Sequence, residues 1–308
     1  MTIGRTGTTT HPAPAGPMPI TVKPALSDIF APDDEESAKR RIAGARREKA
    51  ERTLLIHFTP RSGSSWLASL LEATGCLGIG HELFNPSFMP QNARYFGART
   101  LTEYVEMARR FPVRQGSLSF KITSHQLHAV FDDPDQFFAA FADAASVWLI
   151  REDIVAQAVS LAKMVQTQVG HTADSDAETR RRAEAGFAYD RSTIKYWLRH
   201  ILAAEQCTEN CLRTYRIAPL RLSYERITAI PPRQLVALMA NWCGCPGLPD
   251  DAPPSSRHEK IGTAQNLDYA ERFRRENRGF LAKVEAERRS WLDRLDRLDD
   301  PGPGLPKG

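Results

Sequence analysis

Apolar residues along this chain follow two alternating patterns. Short runs at residues 53–58, 118–123, 146–150 and 220–224 have the length and β-branched, aromatic or leucine content of strands. Between them, apolar residues recur every three or four positions, as in amphipathic helices. Leu67, Leu70, Leu71 and Thr74 share one face, with Gly75 and Gly78 ending that segment. Ile154, Ala158, Leu161 and Val165 form a second stripe, and Asp153, Gln157, Ser160 and Met164 lie on the opposite arc. Further helices are predicted near 101–110, 189–215 and 231–243. Alternation of this kind predicts an α/β fold with a mostly parallel central sheet flanked by helices. Ligands of such sheets sit beyond the carboxyl ends of the strands.

The ends break the pattern. Residues 1–30 are rich in Thr, Pro and Gly without periodicity and read as a disordered lead-in. Residues 31–52 read as a charged helical linker, 53–297 as the folded domain and 298–308, with Pro301-Gly302-Pro303-Gly304, as a flexible tail. The polar stretch 170–186, carrying Arg180-Arg181-Arg182, is expected to be a mobile loop or insertion.

Composition narrows the function classes. The chain has 308 residues, 42% hydrophobic, with 41 basic against 37 acidic residues. The charges are interleaved, which argues against a nucleic-acid partner. No run of about 18 apolar residues is present to span a membrane, and the start lacks a secretory apolar core, so a cytoplasmic protein is expected. The odd count of five cysteines argues against a disulfide framework. Cys207 and Cys211 share a helical face and Cys243-Gly244-Cys245 offers two more thiols, but buried reduced thiols are the preferred reading over a zinc set.

The chemistry concentrates at Thr59-Pro60-Arg61-Ser62-Gly63-Ser64-Ser65-Trp66, which follows the first strand and opens the first periodic helix. A tight turn there aims helix-start N–H groups, hydroxyls and one guanidinium at a point outside the strand end, a site for phosphate or sulfate. GxxxxGK[ST] is absent, so this is not the ordinary nucleotide-triphosphate loop. The bland alternative is a capped turn with a surface arginine. Lys121 and Arg151 fall at two further strand ends, and Ser160 can face the same space as Arg151. Two anion sites on one sheet edge call for a ligand with anionic groups at both ends.

These residues resemble the sulfotransferases that use 3′-phosphoadenosine 5′-phosphosulfate. The 59–66 segment is similar to their 5′-phosphosulfate loop, and Arg151 followed by Ser160 to their 3′-phosphate pair. Gly80-His81-Glu82-Leu83-Phe84-Asn85, Phe120-Lys121, Gln166-Thr167, Phe187-Ala188-Tyr189-Asp190 and Leu222-Ser223-Tyr224-Glu225 resemble the bacterial trehalose-2-sulfotransferase-like branch, with a looser likeness at Ala264-Gln265-Asn266 and Phe273-Arg274. Trp66 departs from that branch and is shared with the eukaryotic cytosolic one, where the ring stacks on adenine; a core role is equally open.

The resemblance implies a P-loop-like sulfotransferase architecture over 53–297 and a sulfotransferase that moves a sulfuryl group from that donor to a hydroxyl of a carbohydrate or glycolipid, with homodimerisation and no metal requirement. It places Arg61, Ser62, Gly63, Ser64 and Ser65 on the 5′-phosphosulfate and Arg151 and Ser160 on the 3′-phosphate. Lys121 would stabilise the leaving oxygen or steer the acceptor. Glu82 is the first choice of general base, with His125 and His81 as rivals; pairing of Glu82 with a basic neighbour is the structural alternative. Trp197, Tyr196, Phe84 and Tyr95 are candidate sugar-lining aromatics. A phenolic or secondary-metabolite acceptor, a non-catalytic nucleotide-binding module and a kinase with an unusual loop remain open alternatives.

Overall fold

The computed structural model describes residues 29–111, 113–169, 176–245, 255–256, 258 and 263–298. Four strands, β1 (Arg52–Phe58), β2 (Ser117–Ile122), β3 (Ala145–Ile150) and β4 (Leu220–Ser223), form an all-parallel sheet in the order β2-β1-β3-β4. The predicted α/β architecture is present, with every predicted strand within a residue of its expected start. Nearly every strand residue is buried, including the polar Ser117, Ser119, Lys121 and Ser223 that alternate with apolar residues in β2 and β4, as expected of a parallel sheet covered on both faces.

Helices cover both faces. On one, α2 (Ser64–Ala73) and α11 (Pro232–Trp242) bring Leu67, Leu70, Leu71, Leu235, Val236 and Met239 onto Leu54, Ile56, Val147, Leu149 and Leu222. On the other, Leu55, Leu118, Phe120 and Ile122 meet an aromatic cluster centred on Phe84, whose ring lies 5.4–5.8 Å from those of Tyr104, Phe120, Phe131, Phe137 and Phe141. That cluster is roofed by α3 (Met89–Phe96), α4 (Leu101–Ala108), α5 (Ser124–Val130) and α6 (Pro134–Ala140). A third apolar cluster joins α7 (Ile154–Thr167), α9 (Arg191–Thr214), α12 (Ala264–Glu276) and α13 (Arg278–Leu292).

Three features differ from what periodicity suggests. Part of the stretch expected as a loop at 170–186 is the helix α8 (Ala177–Gly186), opened by the Asp176 carboxylate accepting from the Thr179 N–H and laced by an Arg182–Glu178 pair. Its helix-forming composition outweighs the lack of an apolar face; residues 170–175 lie outside the described residues. Helix α7 is packed nearly all round, so Gln157, on its supposedly open arc, is fully buried. The charged segment before β1 forms α1 (Glu35–Ala45), which docks on α3 and α4; Arg40 and Arg41 donate to the Arg94 and Gly97 carbonyls at 2.9 and 2.7 Å. The lead-in 1–28 and the tail 299–308 lie outside the described residues.

The strand order fixes where a ligand sits. From β1 the chain crosses to β2 on one side, and from β3 to β4, whose end starts α10 (Tyr224–Ala229), on the other. The carboxyl ends of β1 and β3 are therefore neighbours whose loops diverge, which opens a crevice between them. Residues 59–63 follow β1 and residues 151–153 follow β3, so both expected anion sites flank this crevice. No helix among the described residues is long and apolar enough to cross a membrane.

Candidate active site

The turn after β1 is held in an uncommon backbone. Arg61 has φ 67° and Gly63 φ 84°, both left-handed, a region that costs a non-glycine residue about 1–2 kcal/mol. Burial lets the turn keep it. Gln157 of α7 donates through Nε2 to the Thr59 hydroxyl at 2.8 Å and the Pro60 carbonyl at 2.7 Å. Gly63 is also the N-cap of α2, and no side chain caps that helix. In contrast, Asp34, Thr100, Thr123, Asp153 and Thr263 cap α1, α4, α5, α7 and α12. The first-turn N–H groups of α2 are thus left for an anion. Ser62, fully buried in the same turn, has a hydroxyl oxygen without a hydrogen-bond partner.

A Cβ on residue 63 would overlap the Tyr224 ring. That ring also carries the Arg151 guanidinium on its face, 5.0 Å from the centroid, a cation–π contact. Tyr224 therefore spaces the β1 turn from Arg151. Gly63→Ala is expected to lower affinity for a phosphate- or sulfate-bearing ligand about tenfold, equivalent to about 1.4 kcal/mol, as measured by calorimetry, because it strains the turn and displaces Tyr224. Unchanged affinity would show that the turn does not hold the anion.

The two anion sites expected from the sequence meet. Arg61 Nε donates to the Ser160 hydroxyl at 3.0 Å. Burial, and then the charge of Arg151, lower the Arg61 pKa, which means two guanidiniums share one crevice and each raises the other's appetite for an anion. Arg151 Nε lies 3.6 Å from Glu225 Oε1, beyond hydrogen-bond reach, and is buried without a hydrogen-bond partner. Glu225 spends its carboxylate on the Glu152 and Asp153 N–H groups, at 2.8 and 3.2 Å. Asp153, whose Oδ1 also accepts from the Ala156 N–H at 3.0 Å, takes Arg274 Nη2 on both carboxylate oxygens at 2.7 Å.

The third strand end completes the group. Lys121, on β2, reaches Ser65 Oγ at 3.1 Å and Glu82 Oε1 at 3.4 Å, with its ammonium 5.2 Å from the Phe58 ring centroid. Burial lowers its pKa, against the pull of Glu82. Glu82 is oriented from its other oxygen, which accepts from Gln126 at 2.7 Å and Asn85 at 2.8 Å. Anion loop, buried ammonium and aimed carboxylate thus lie in series. Such a series suits transfer of an anionic group to a hydroxyl: donors for the charge that develops, and a base for the proton.

The remaining candidates are placed differently. His125 stacks on His200 of α9, centroids 4.2 Å apart, and burial lowers its pKa. His81 gives its carbonyl to the Lys121 N–H at 2.9 Å and is exposed. Trp66 is partly buried and packs against the α2–α11 cluster. Phe84 and Trp197, expected as possible sugar-lining rings, are 0% and 2% exposed and belong to the core, since each completes an aromatic or helix–helix contact. Tyr95 and Tyr196 are exposed. Sequence alone places Tyr224 and Gln157 in their segments without a role in the site, and does not mark Gln126. Tyr224 follows a strand end within the Leu222–Glu225 segment; the contacts of the other two depend on segments far away in the chain.

Comparison with known proteins agrees with this geometry. The family model for Stf0 sulphotransferases matches residues 119–276, a stretch that takes in Lys121, His125, Arg151, Ser160 and Tyr224; the β1 turn and Glu82 precede it. The chain is also 26% identical over 268 residues to a trehalose 2-sulfotransferase of Mycobacterium tuberculosis (strain ATCC 35801 / TMC 107 / Erdman), covering 74% of this chain and 96% of that protein. With just over half of its length matched and the matched strand ends turned into one cationic crevice, the chain belongs to the Stf0 sulphotransferase family.

Proposed function

We propose that this chain moves a sulfuryl group from 3′-phosphoadenosine 5′-phosphosulfate to a carbohydrate hydroxyl, free or in a glycolipid head group. The observation that carries the reading is Lys121 lying between Ser65 of the uncapped helix start and the Glu82 carboxylate. The β1 turn serves as a P-loop-like cradle: the N–H groups of Ser64 and Ser65, with Ser62 and Arg61, receive the 5′-phosphosulfate. Arg151 and Ser160 receive the 3′-phosphate, which distinguishes this donor from ordinary adenosine phosphates. The residues fit such a group, because the crevice offers guanidiniums, hydroxyls and helix-start N–H groups, while Glu225 accepts from the Glu152 and Asp153 N–H groups rather than from Arg151.

In-line transfer makes charge grow on the oxygen that bridges phosphorus and sulfur. Lys121 is positioned to take that charge, and burial strengthens its effect. Glu82 accepts the acceptor's hydroxyl proton; its orientation by Gln126 and Asn85 supports it over His125, whose ring is engaged with α9. The carbohydrate acceptor rests on the trehalose 2-sulfotransferase relative. Incubation of the protein with donor and trehalose or a host glycolipid extract should yield products heavier by one sulfate, read by mass spectrometry. Donor consumption only with phenolic acceptors would overturn the carbohydrate reading, and no product with any acceptor class would overturn the transfer itself.

Arg151→Ala should weaken binding of 3′-phosphoadenosine 5′-phosphate about 10- to 100-fold, the range of a lost charge-assisted hydrogen bond. It should leave AMP nearly untouched. Equal losses for both nucleotides in calorimetry would put the 3′-phosphate elsewhere.

A further inference from the structure

The two cysteine pairs do not come together. Cys243 and Cys245 are buried in the α2–α11 cluster with Cys76, whose carbonyl faces the Cys245 thiol. Cys207 and Cys211 lie on the opposite side of the sheet, one turn apart on α9 and facing α5. From α5, His128 brings Nε2 to 3.2 Å from Cys207 Sγ. The ligand atoms of His128, Cys207 and Cys211 all lie within 4.8 Å of one another.

We propose that His128, Cys207 and Cys211 form a zinc site that clasps α5 to α9, with water in the fourth position. Bond lengths of about 2.0–2.3 Å to nitrogen and sulfur put tetrahedral ligands about 3.5–3.8 Å apart. His128 Nε2 and Cys207 Sγ at 3.2 Å, with all three ligand atoms within 4.8 Å of one another, bracket this spacing. Two sulfurs and an imidazole select a borderline-soft ion and reject magnesium or calcium. The thiolate is the form that binds metal, and the His128 imidazole 3.2 Å from the Cys207 sulfur can take up the proton that the thiol gives up. The open fourth position follows from exposure: His128 faces solvent and both cysteines are half-buried.

The clasp has a mechanical consequence. Helix α5 opens directly after β2 and carries Gln126, the donor that orients Glu82, and His125, which stacks on α9. Zinc would fix α5 without touching donor or acceptor. It is thus a positioning ion, and the site stands or falls independently of the transfer chemistry.

The test is cobalt substitution of the full-length, reduced protein. Titration with Co²⁺ should give one equivalent with a thiolate charge-transfer band and the intense d–d bands of tetrahedral coordination, displaced by Zn²⁺. Cys207→Ser and Cys211→Ser should each abolish the charge-transfer signal or weaken affinity at least a hundredfold. His128→Ala should weaken it about tenfold or more, since losing a ligand costs at least what losing an outer-shell partner does, and Cys243→Ser should leave it unchanged. Absence of the band, its persistence in the Cys207→Ser/Cys211→Ser double variant, or its loss in Cys243→Ser would overturn the site. Should the double variant fail to fold, alkylation of the unaltered protein decides. Zn²⁺ should protect Cys207 and Cys211 selectively in peptide mapping, and equal modification with and without Zn²⁺ would overturn the assignment.

Discussion

Glu82→Gln should bind donor nucleotide normally and lose about 10²- to 10⁴-fold in turnover, the usual contribution of a positioned general base. The amide can still accept from Gln126 and Asn85, so the local fold is kept while the proton acceptor is gone. A second consequence follows from Lys121, which lies 3.4 Å from Glu82 and whose pKa burial already lowers. Without the carboxylate, nothing offsets that burial, and the ammonium loses its proton at a lower pH than in the unaltered protein. The residual activity of Glu82→Gln should therefore fall away on the alkaline side sooner than the parent's. Initial rates at saturating donor and acceptor across pH check both statements. Near-normal turnover would remove Glu82 from the base role and direct attention to His125.

Arg288→Met should cost about 3–5 kcal/mol in urea unfolding, the range for removing one partner of a buried ion pair. Arg288, on α13, is 2% exposed and grips the fully buried Glu205 of α9 at 2.7 and 3.0 Å. The same guanidinium donates to the Arg151 and Glu152 carbonyls, at 2.6 and 2.9 Å. It thereby anchors the β3 end from which Arg151 projects. Burial raises the Glu205 pKa, against the pull of Arg288. In the variant that pull is absent, so the folded protein holds a proton on Glu205 that the unfolded chain releases. Stability of the variant is greatest below the ordinary carboxylate pKa and is lost as pH rises through the raised value. The deficit against the parent should be larger at pH 8 than at pH 5. A Glu205→Leu/Arg288→Met double variant should recover much of the loss, and a deficit independent of pH would mean that the pair is not what is being broken.

All four strands were legible in the sequence because each is a short run of large apolar residues, broken in β2 and β4 by alternating Ser, Lys and Arg, between helix-period segments. The anion turn was legible for a related reason: small residues and one arginine between a strand and a helix leave few alternatives. What could not be read was convergence. Gln157, on the outer arc of an apparently amphipathic helix, is buried because the turn after β1, far earlier in the chain, packs on it and takes its two hydrogen bonds. The contact of Lys121 with Ser65 and Glu82 needs the register that sets β2 beside β1. Cysteine spacing suggested partners by proximity along the chain, whereas the fold joins Cys207 to a histidine 79 positions away. Polar α8 was missed because it has no apolar stripe to show.

The central claim is that one crevice, between the ends of β1 and β3, grips both ends of an adenosine bisphosphate. A crystal structure with 3′-phosphoadenosine 5′-phosphate tests it most directly. The 5′-phosphate should lie on the Ser64 and Ser65 N–H groups within reach of Lys121, and the 3′-phosphate on Arg151 and Ser160. A nucleotide seated away from the β1 turn, or one whose 3′-phosphate points into solvent, would contradict the account.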